Sequence, residues 1–291
     1  MVGAVISTPN KIIGEGYHMH YGEAHAEVVA VREVFEKKIE NLANCTIFVS
    51  LEPCNFHGNT PACTQLIIDH KIPNVVVSSI DKTEKVNFSG VQKLLDNGHE
   101  VSHGILKEKG DFLARIRNTY ATKKRPYIIL KYAQSLDGFI GQEGKQVWLS
   151  NSFSSRLVHK WRAELSAIIV GSNTAVTDNP KLTTRHFPGK SPLRICIDRN
   201  GRIPADSHLK NGTVPTWIYG TEEQKQDNKN RYEQRKILDD KHLLEQICSD
   251  LYQNKKDSLL VEGGAKLLQS FIDAGLWDCL LYTSPSPRDR G

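Results

Sequence analysis

Three side chains with metal-binding chemistry stand in order near the start of the chain, His25, Cys54 and Cys63, with a carboxylic acid, Glu27, two residues after the histidine. A neutral imidazole and two thiolates are ligands that zinc favours, and three protein ligands leave the fourth tetrahedral position open for water. An ion held that way lowers the pKa of its water to about 7 and so supplies a nucleophile at neutral pH. Water attacking an amino-substituted ring carbon also needs a proton shuttle, and Glu27 fits that role. Taken alone, H-A-E is a weak signal, since such residues usually lie on helix surfaces, and isolated cysteines are more often small buried apolar groups than ligands. The conjunction in this order carries the reading.

The elements around these residues must bring them together. H-x-E followed by P-C and a second cysteine is the pattern of zinc deaminases, in which the glutamate is an acid/base and not a ligand. Here the cysteines are separated by eight residues instead of two, which inserts F-H-G-N-T-P between the ligands. A helical pattern over residues 23–38 carries His25 and Glu27 at its opening, and the apolar run 45–51 reads as a strand leading to Cys54. Thr60 and Pro61 suit the N-cap and first position of a helix running to about His70. Cys63 then falls in its first turn, where the partial positive charge favours a thiolate. Residues 1–7 and 11–17, separated by T-P-N-K, predict a hairpin; a strand over N-V-V-V-S-S-I, a helix around 90–97, a strand near Val101 and a helix through Tyr120 follow. That alternation predicts an α/β domain with a covered sheet.

The charged stretch 121–127, with Pro126 in it, predicts an extended, exposed linker, and the domain boundary is placed there. Beyond it the alternation restarts with P-Y-I-I-L-K-Y-A, a helix near 153–165, strands over A-I-I-V-G, L-R-I-C-I-D and P-T-W-I-Y-G, a helix near 241–253, and S-L-L-V-E-G-G leading into a helix. The polar segment 221–236 reads as a solvated loop or exposed helix. At 291 residues, with 39% hydrophobic and 24% charged residues, the chain suits two soluble domains. No apolar run approaches the ~20 residues of a membrane-spanning helix. A net charge of +5 spread among acids suits small anionic ligands and argues against nucleic acid. No export signal is evident, so a cytoplasmic location is expected, and six thinly spread cysteines point to reduced thiols or metal ligands.

The wide cysteine spacing, together with G-E-G-Y-H-x-x-x-G-x-A-H-A-E at 14–27, resembles the deaminase domain of the bifunctional riboflavin-biosynthesis deaminase/reductase family. The resemblance continues with K-x-A-x-S-L-D-G at 131–138, W-L-S at 148–150, V-G-x-N-T-x-x-x-D-N-P-x-L-T-x-R at 170–185 and V-E-G-G-A-K-L at 261–267. It implies a cytidine-deaminase-like three-layer α/β/α domain over residues 1–122, then a dihydrofolate-reductase-like α/β domain over 126–283. It implies zinc on His25, Cys54 and Cys63, Glu27 as proton donor and acceptor, and His18 as a substrate contact; an ordinary exposed histidine is the other reading of His18. In the second domain it implies NADPH against Ala133, Trp148, Thr174, Asp178, Gly264, Ala265, Lys266 and Leu267, and substrate against Arg162, Leu182, Arg185 and Glu262. Arginine suits a ribose phosphate because its planar fork binds oxygens in pairs. V-E-G-G, a strand ending in two glycines before a helix, lets backbone N–H groups approach a phosphate. Lys131, Asp178 and Glu262 are the acid/base candidates. Asp137 and Asp178 could equally form turns, and Trp148 could be core.

The implied reactions are deamination of 2,5-diamino-6-(5-phosphoribosylamino)pyrimidin-4(3H)-one, then NADPH-dependent reduction of the ribosyl group. Phe56 and Asn59 depart from the family, which shows a histidine and a basic residue there. Homo-oligomers occur in the family, so a homo-oligomer is a further expectation. The chain is expected to lack the family's first helix and last strands, with 284–291 as a non-native tail. The alternatives are a zinc deaminase of other bases and an inactive zinc- or dinucleotide-binding fragment.

Overall fold

The computed structural model describes residues 2–19, 22–39, 41–57, 61–135, 137–140, 152–221 and 232–283. The chain divides into two compact units, Met1–Lys123 and Lys124–Gly291.

The first unit runs β1 (Gly3–Ser7), β2 (Ile12–Tyr17), α1 (Ala26–Glu36), β3 (Thr46–Leu51), α2 (Cys63–Asp69), β4 (Asn74–Ser79), α3 (Ser89–Asp96), β5 (Glu100–His103) and α4 (Lys107–Lys123). Its sheet has the order β2-β1-β3-β4-β5, antiparallel across β2-β1-β3 and parallel from β3 to β5. Alternation along the strands buries Ala4 and Ile6, Ile47 and Val49, and Val75 and Val77. They pack in one core with Ala30, Val31 and Val34 of α1 and Ile67 of α2. Two glycines decide how near α1 comes to the sheet. A Cβ on Gly16 would lie 2.2 Å from the Ala26 carbonyl oxygen, and one on Gly14 would lie 2.5 Å from that of Ala30. The G-E-G pattern thus lets the opening turn of α1, with His25 and Glu27, settle on β2.

The second unit runs β6 (Tyr127–Ala133), α5 (Ser152–Glu164), β7 (Ala167–Gly171), α6 (Ser172–Asp178), β8 (Leu193–Ile197), β9 (Thr216–Gly220), β10 (Glu233–Lys236), α7 (Leu243–Gln253), β11 (Ser258–Val261), α8 (Ala265–Asp273) and β12 (Cys279–Thr283). All strand pairs are parallel, in the order β10-β9-β8-β7-β11-β6-β12. The central strands are continuous apolar runs, A-I-I-V, L-R-I-C-I and S-L-L-V, buried along their length as a sheet covered on both faces requires.

Arg194 interrupts one of those runs and is fully buried. Its guanidinium donates to Thr216 Oγ1 at 2.9 Å and to the carbonyls of His208 and Val214 at 2.8 and 3.0 Å, among others. Burial lowers its pKa to about 10. Because a buried acceptor that loses its donor costs about 1–3 kcal/mol, Arg194→Met is expected to destabilise this unit by about 3 kcal/mol or more. Calorimetry would read this as a lower Tm for one transition and an unchanged one for the other.

Four expectations need correction. Helix α2 begins at Cys63 with Ala62 as its N-cap residue, so Pro61 is not its first position. Residues 121–123 are helical, because α4 continues to Lys123. The end of the supposed linker is not exposed either: Pro126 and Tyr127 are buried, and Arg125 forms a two-pronged ion pair with Asp278, at 2.5 and 2.9 Å. Finally, Glu233–Lys236 is an edge strand, not a loop or helix; Arg235 covers the Trp217 ring at 3.6 Å, which gives so polar a segment its packing. Trp148, Asn59 and residues 284–291 lie outside the described residues. Among the described residues no helix is long and apolar enough to cross a membrane.

Candidate active sites

His25 is the N-cap residue of α1, in extended backbone conformation, and Glu27 lies in the helix's first turn. Cys54 follows the end of β3, and Cys63 is the first residue of α2. These elements place His25 Nδ1 3.2 Å from Cys63 Sγ and 3.6 Å from Cys54 Sγ. The three donor atoms lie within 4.8 Å of one another, the one such group of metal-donor side chains among the described residues. A soft-to-borderline N/S/S set at this separation fits zinc.

The S–H of Cys63, with His25 and the Cys63 backbone N–H, lowers the Cys54 thiol to about 4 despite burial. Cys63 moves upward, through its bond to Cys54, burial and the nearby Glu27. His25 is raised chiefly by its bond to Cys54. Glu27 is 3% exposed, and burial raises its carboxyl above the ordinary range, as a group that carries a proton near neutrality requires. His18 sits beside the cluster: its ring meets that of His25 edge-to-face at 5.5 Å, and its Nδ1 lies 3.0 Å from the Ala24 carbonyl oxygen.

One residue that sequence reasoning passed over holds this loop. Glu52, 4% exposed, accepts four backbone N–H groups, from Asp81 and Phe88 at 3.2 and 3.0 Å and from Gly90 and Val91 at 2.9 and 3.2 Å. It ties the strand end before Cys54 to the start of α3. An acid just before P-C was the available signal, but its partners lie up to 39 residues away. Glu52→Gln leaves some of those donors unpaired, and zinc affinity is expected to fall roughly 10–100-fold, as for other supporting residues around a metal. Competition with a chromophoric chelator would read it.

In the second unit, Arg162 and Glu262 meet: Nε to Oε1 is 3.1 Å and Nη2 to Oε2 is 2.6 Å. Burial alone would raise the Glu262 carboxyl, but Arg162, helped by Lys131, outweighs it and holds the group below the ordinary range. Glu262 is therefore an anion at neutral pH, better suited to anchoring than to donating a proton. Arg185 is exposed, and its Nη1 donates to Thr183 Oγ1 at 2.9 Å. Leu182 has its side chain in the interior, 3% exposed, on a left-handed backbone with φ 51°. A ligand can reach it there only through the main chain.

Thr174 on α6 accepts the Gly264 N–H at 3.2 Å. Gly264 is the N-cap residue of α8, and Gly264, Ala265 and Lys266 are exposed. A Cβ on Gly264 would meet only Thr174 Oγ1, at 3.5 Å, so its bareness leaves the backbone open to an approaching phosphate. The Leu267 side chain belongs to the core instead. Asp178 closes α6 half-buried, and burial raises its carboxyl. Lys131 and Ala133 are half-buried on β6. Asp137 is exposed in a turn where Ser135 Oγ donates to it and the Gly138 N–H reaches the Ser135 carbonyl at 3.0 Å, so the turn reading holds for this aspartate.

Residues 126–285 match the family described as RibD C-terminal domain, and residues 1–79 match the cytidine and deoxycytidylate deaminase zinc-binding region. The riboflavin biosynthesis protein RibD of Aquifex aeolicus is 37% identical over 295 residues, covering 100% of this chain and 82% of that protein. The chain belongs to the RibD family. RibD of Escherichia coli K12 is 32% identical, over 98% of this chain and 81% of its own. The crystal structure of a diaminohydroxyphosphoribosylaminopyrimidine deaminase/5-amino-6-(5-phosphoribosylamino)uracil reductase from Thermotoga maritima superposes with a TM-score of 0.87 at 36% identity, covering 98% of this chain and 80% of that one. Acinetobacter baumannii RibD gives 0.85 at 31%, with the same coverage. RibD membership gives the two units their activities, deaminase first and reductase second along the chain, with zinc and NADPH as cofactors. It disfavours both a deaminase of other bases and an inactive fragment.

Proposed function

We propose that His25, Cys54 and Cys63 hold the zinc and that Glu27 carries the protons of a hydrolytic deamination. The carrying observation is the convergence of the three ligand atoms beside a buried, upshifted Glu27. The protein is a bifunctional enzyme of riboflavin biosynthesis that deaminates 2,5-diamino-6-(5-phosphoribosylamino)pyrimidin-4(3H)-one and reduces the ribosyl side chain to give 5-amino-6-(5-phosphoribitylamino)uracil. When bound, zinc supplies the Lewis acidity that makes a water nucleophilic near neutral pH. Glu27 would take a proton from the attacking water and return one to the leaving nitrogen, so that water and the amino group exchange for a carbonyl and ammonia. His18, next to His25, is assigned to the substrate.

For the reduction, residues 126–283 are assigned as the reductase and 1–122 as the deaminase. NADPH supplies the hydride. Thr174, Asp178, Gly264, Ala265 and Lys266 bind it, with Ala133, the Leu267 main chain and Trp148 completing the assignment. Arg162 and Arg185 take the substrate's phosphate, and Glu262 fixes Arg162. Opening the sugar ring passes a proton from the amine to the ring oxygen; hydride then reaches C1′ and a proton returns to nitrogen. Asp178, raised by burial, is the better proton carrier of the candidates, with Lys131 beside Glu262 as the second. A cytoplasmic location and a homo-oligomer complete the proposal, the latter testable by sedimentation.

Withholding NADPH tests the reaction order. The deaminated ribosylamino compound should then accumulate and ammonia release should continue. Failure to release ammonia until NADPH is added would reverse the order.

A further inference from the structure

Arg185 is the exposed guanidinium of the pair assigned above to the substrate's phosphate, and its backbone is held by a buried ring from another element. His159 lies on α5 one turn before Arg162 and is 3% exposed. Its Nδ1 accepts the Arg185 N–H at 3.1 Å, and the His186 ring meets it edge-to-face at 4.7 Å. Acceptance requires Nδ1 without a proton. Burial, then Arg162 of the same helix, then Arg185 and His186 across from it, outweigh Glu262 at the end of β11 and lower His159 to about 4, so the ring is neutral. Arg162 and Arg185 both reach Thr183, Arg162 Nη1 to its carbonyl at 3.4 Å and Arg185 Nη1 to its hydroxyl at 2.9 Å. Arg162 is already gripped by Glu262. The His159 bond therefore sets the backbone from which the more exposed arginine projects, beside a guanidinium that cannot move to compensate.

We propose that His159 is a positioning residue for the reduction: as a buried neutral acceptor it fixes the Arg185 backbone so that the guanidinium meets the substrate's phosphate. This rests on the assignment of Arg162 and Arg185 to that phosphate. The ring touches neither substrate nor cofactor in this scheme and acts through Arg185 alone.

The test measures NADPH oxidation by the full chain with 5-amino-6-(5-phosphoribosylamino)uracil and with its dephosphorylated riboside. Wild type is compared with His159→Phe, His159→Asn, Arg185→Ala and the double variant of His159→Phe with Arg185→Ala. A partly buried N–H left without its acceptor costs enough to predict a roughly tenfold rise in KM for the phosphorylated substrate in His159→Phe. Its kcat, its KM for NADPH and its KM for the riboside should stay within about twofold of wild type, since that unpaired N–H should act only through the phosphate. Asparagine, whose Oδ1 can take the place of Nδ1, should restore most of the loss. The double variant should be no worse than Arg185→Ala, because the two residues act in series. If Arg185→Ala affects both substrates equally, the phosphate assignment falls and the proposal falls with it. If Arg185→Ala is phosphate-selective while His159→Phe is silent, or raises both substrate KM values alike, the proposal alone is overturned. Should the phenylalanine variant not fold, His159→Gln replaces it, since its amide oxygen reaches the Nε2 position and not that of Nδ1.

Discussion

Glu27→Gln should lower ammonia release by roughly 10²–10⁴-fold, the range for removing a positioned acid/base, while zinc content stays at wild-type stoichiometry. The separation follows from geometry. The three donor atoms that converge within 4.8 Å are those of His25, Cys54 and Cys63, and the carboxylate is not among them. Glutamine keeps the shape of the buried side chain but can neither take a proton from water nor return one to nitrogen. Burial raises the Glu27 carboxyl, so protonation begins at a higher pH than for an exposed glutamate. Ammonia release should accordingly fall on the acid side as Glu27 gains its proton, and this limb should vanish in the residual activity of the glutamine variant. Metal analysis and an ammonia assay on the same sample check both halves. Loss of zinc in the variant would make Glu27 a ligand or a structural prop.

Cys63→Ala should have the next largest effect: loss of zinc and of deamination to background, with reduction of pre-deaminated substrate unchanged. Cys63 is fully buried, opens α2, and donates its backbone N–H to Cys54 Sγ at 3.4 Å. Removing its sulfur leaves an imidazole and one thiolate, too few for a stable zinc site. Because zinc binds thiolates and a neutral imidazole, for which protons compete, retention should also weaken as pH falls. The reductase should be spared because its residues belong to a separate compact unit. Parallel zinc, ammonia and NADPH measurements on the variant read all three. A fall in NADPH oxidation of pre-deaminated substrate would show that the units are not independent.

Much of this was legible along the chain because it is local. H-A-E opens a helix, P-C follows a strand, and apolar runs bounded by glycine and proline marked most of the strands. What the sequence concealed depends on distant pairing. Glu52 looks like one more surface acid until the start of α3 and the loop after β4 present four N–H groups to it, those of Phe88, Gly90 and Val91 and that of Asp81. Arg194 in L-R-I-C-I breaks the pattern of a buried strand, and its acceptors, the Thr216 hydroxyl and carbonyls of the 208–214 segment among them, explain it. E-Q-R-K is too polar to read as a strand, yet parallel pairing with β9 makes it one. His159 carried a faint signal, a histidine one helical turn before an arginine, but the backbone N–H that gives it a task arrives from 26 residues away.

The central claim is that one chain deaminates and then reduces the same phosphorylated pyrimidine. The most direct test supplies the purified chain, loaded with zinc, with 2,5-diamino-6-(5-phosphoribosylamino)pyrimidin-4(3H)-one and NADPH, and follows ammonia and NADPH together. Equal final amounts of ammonia released and NADPH oxidised, with ammonia leading and both slowed by roughly 10²–10⁴-fold in Glu27→Gln, are predicted. NADPH consumed without ammonia, or ammonia release untouched by that substitution, would contradict the account.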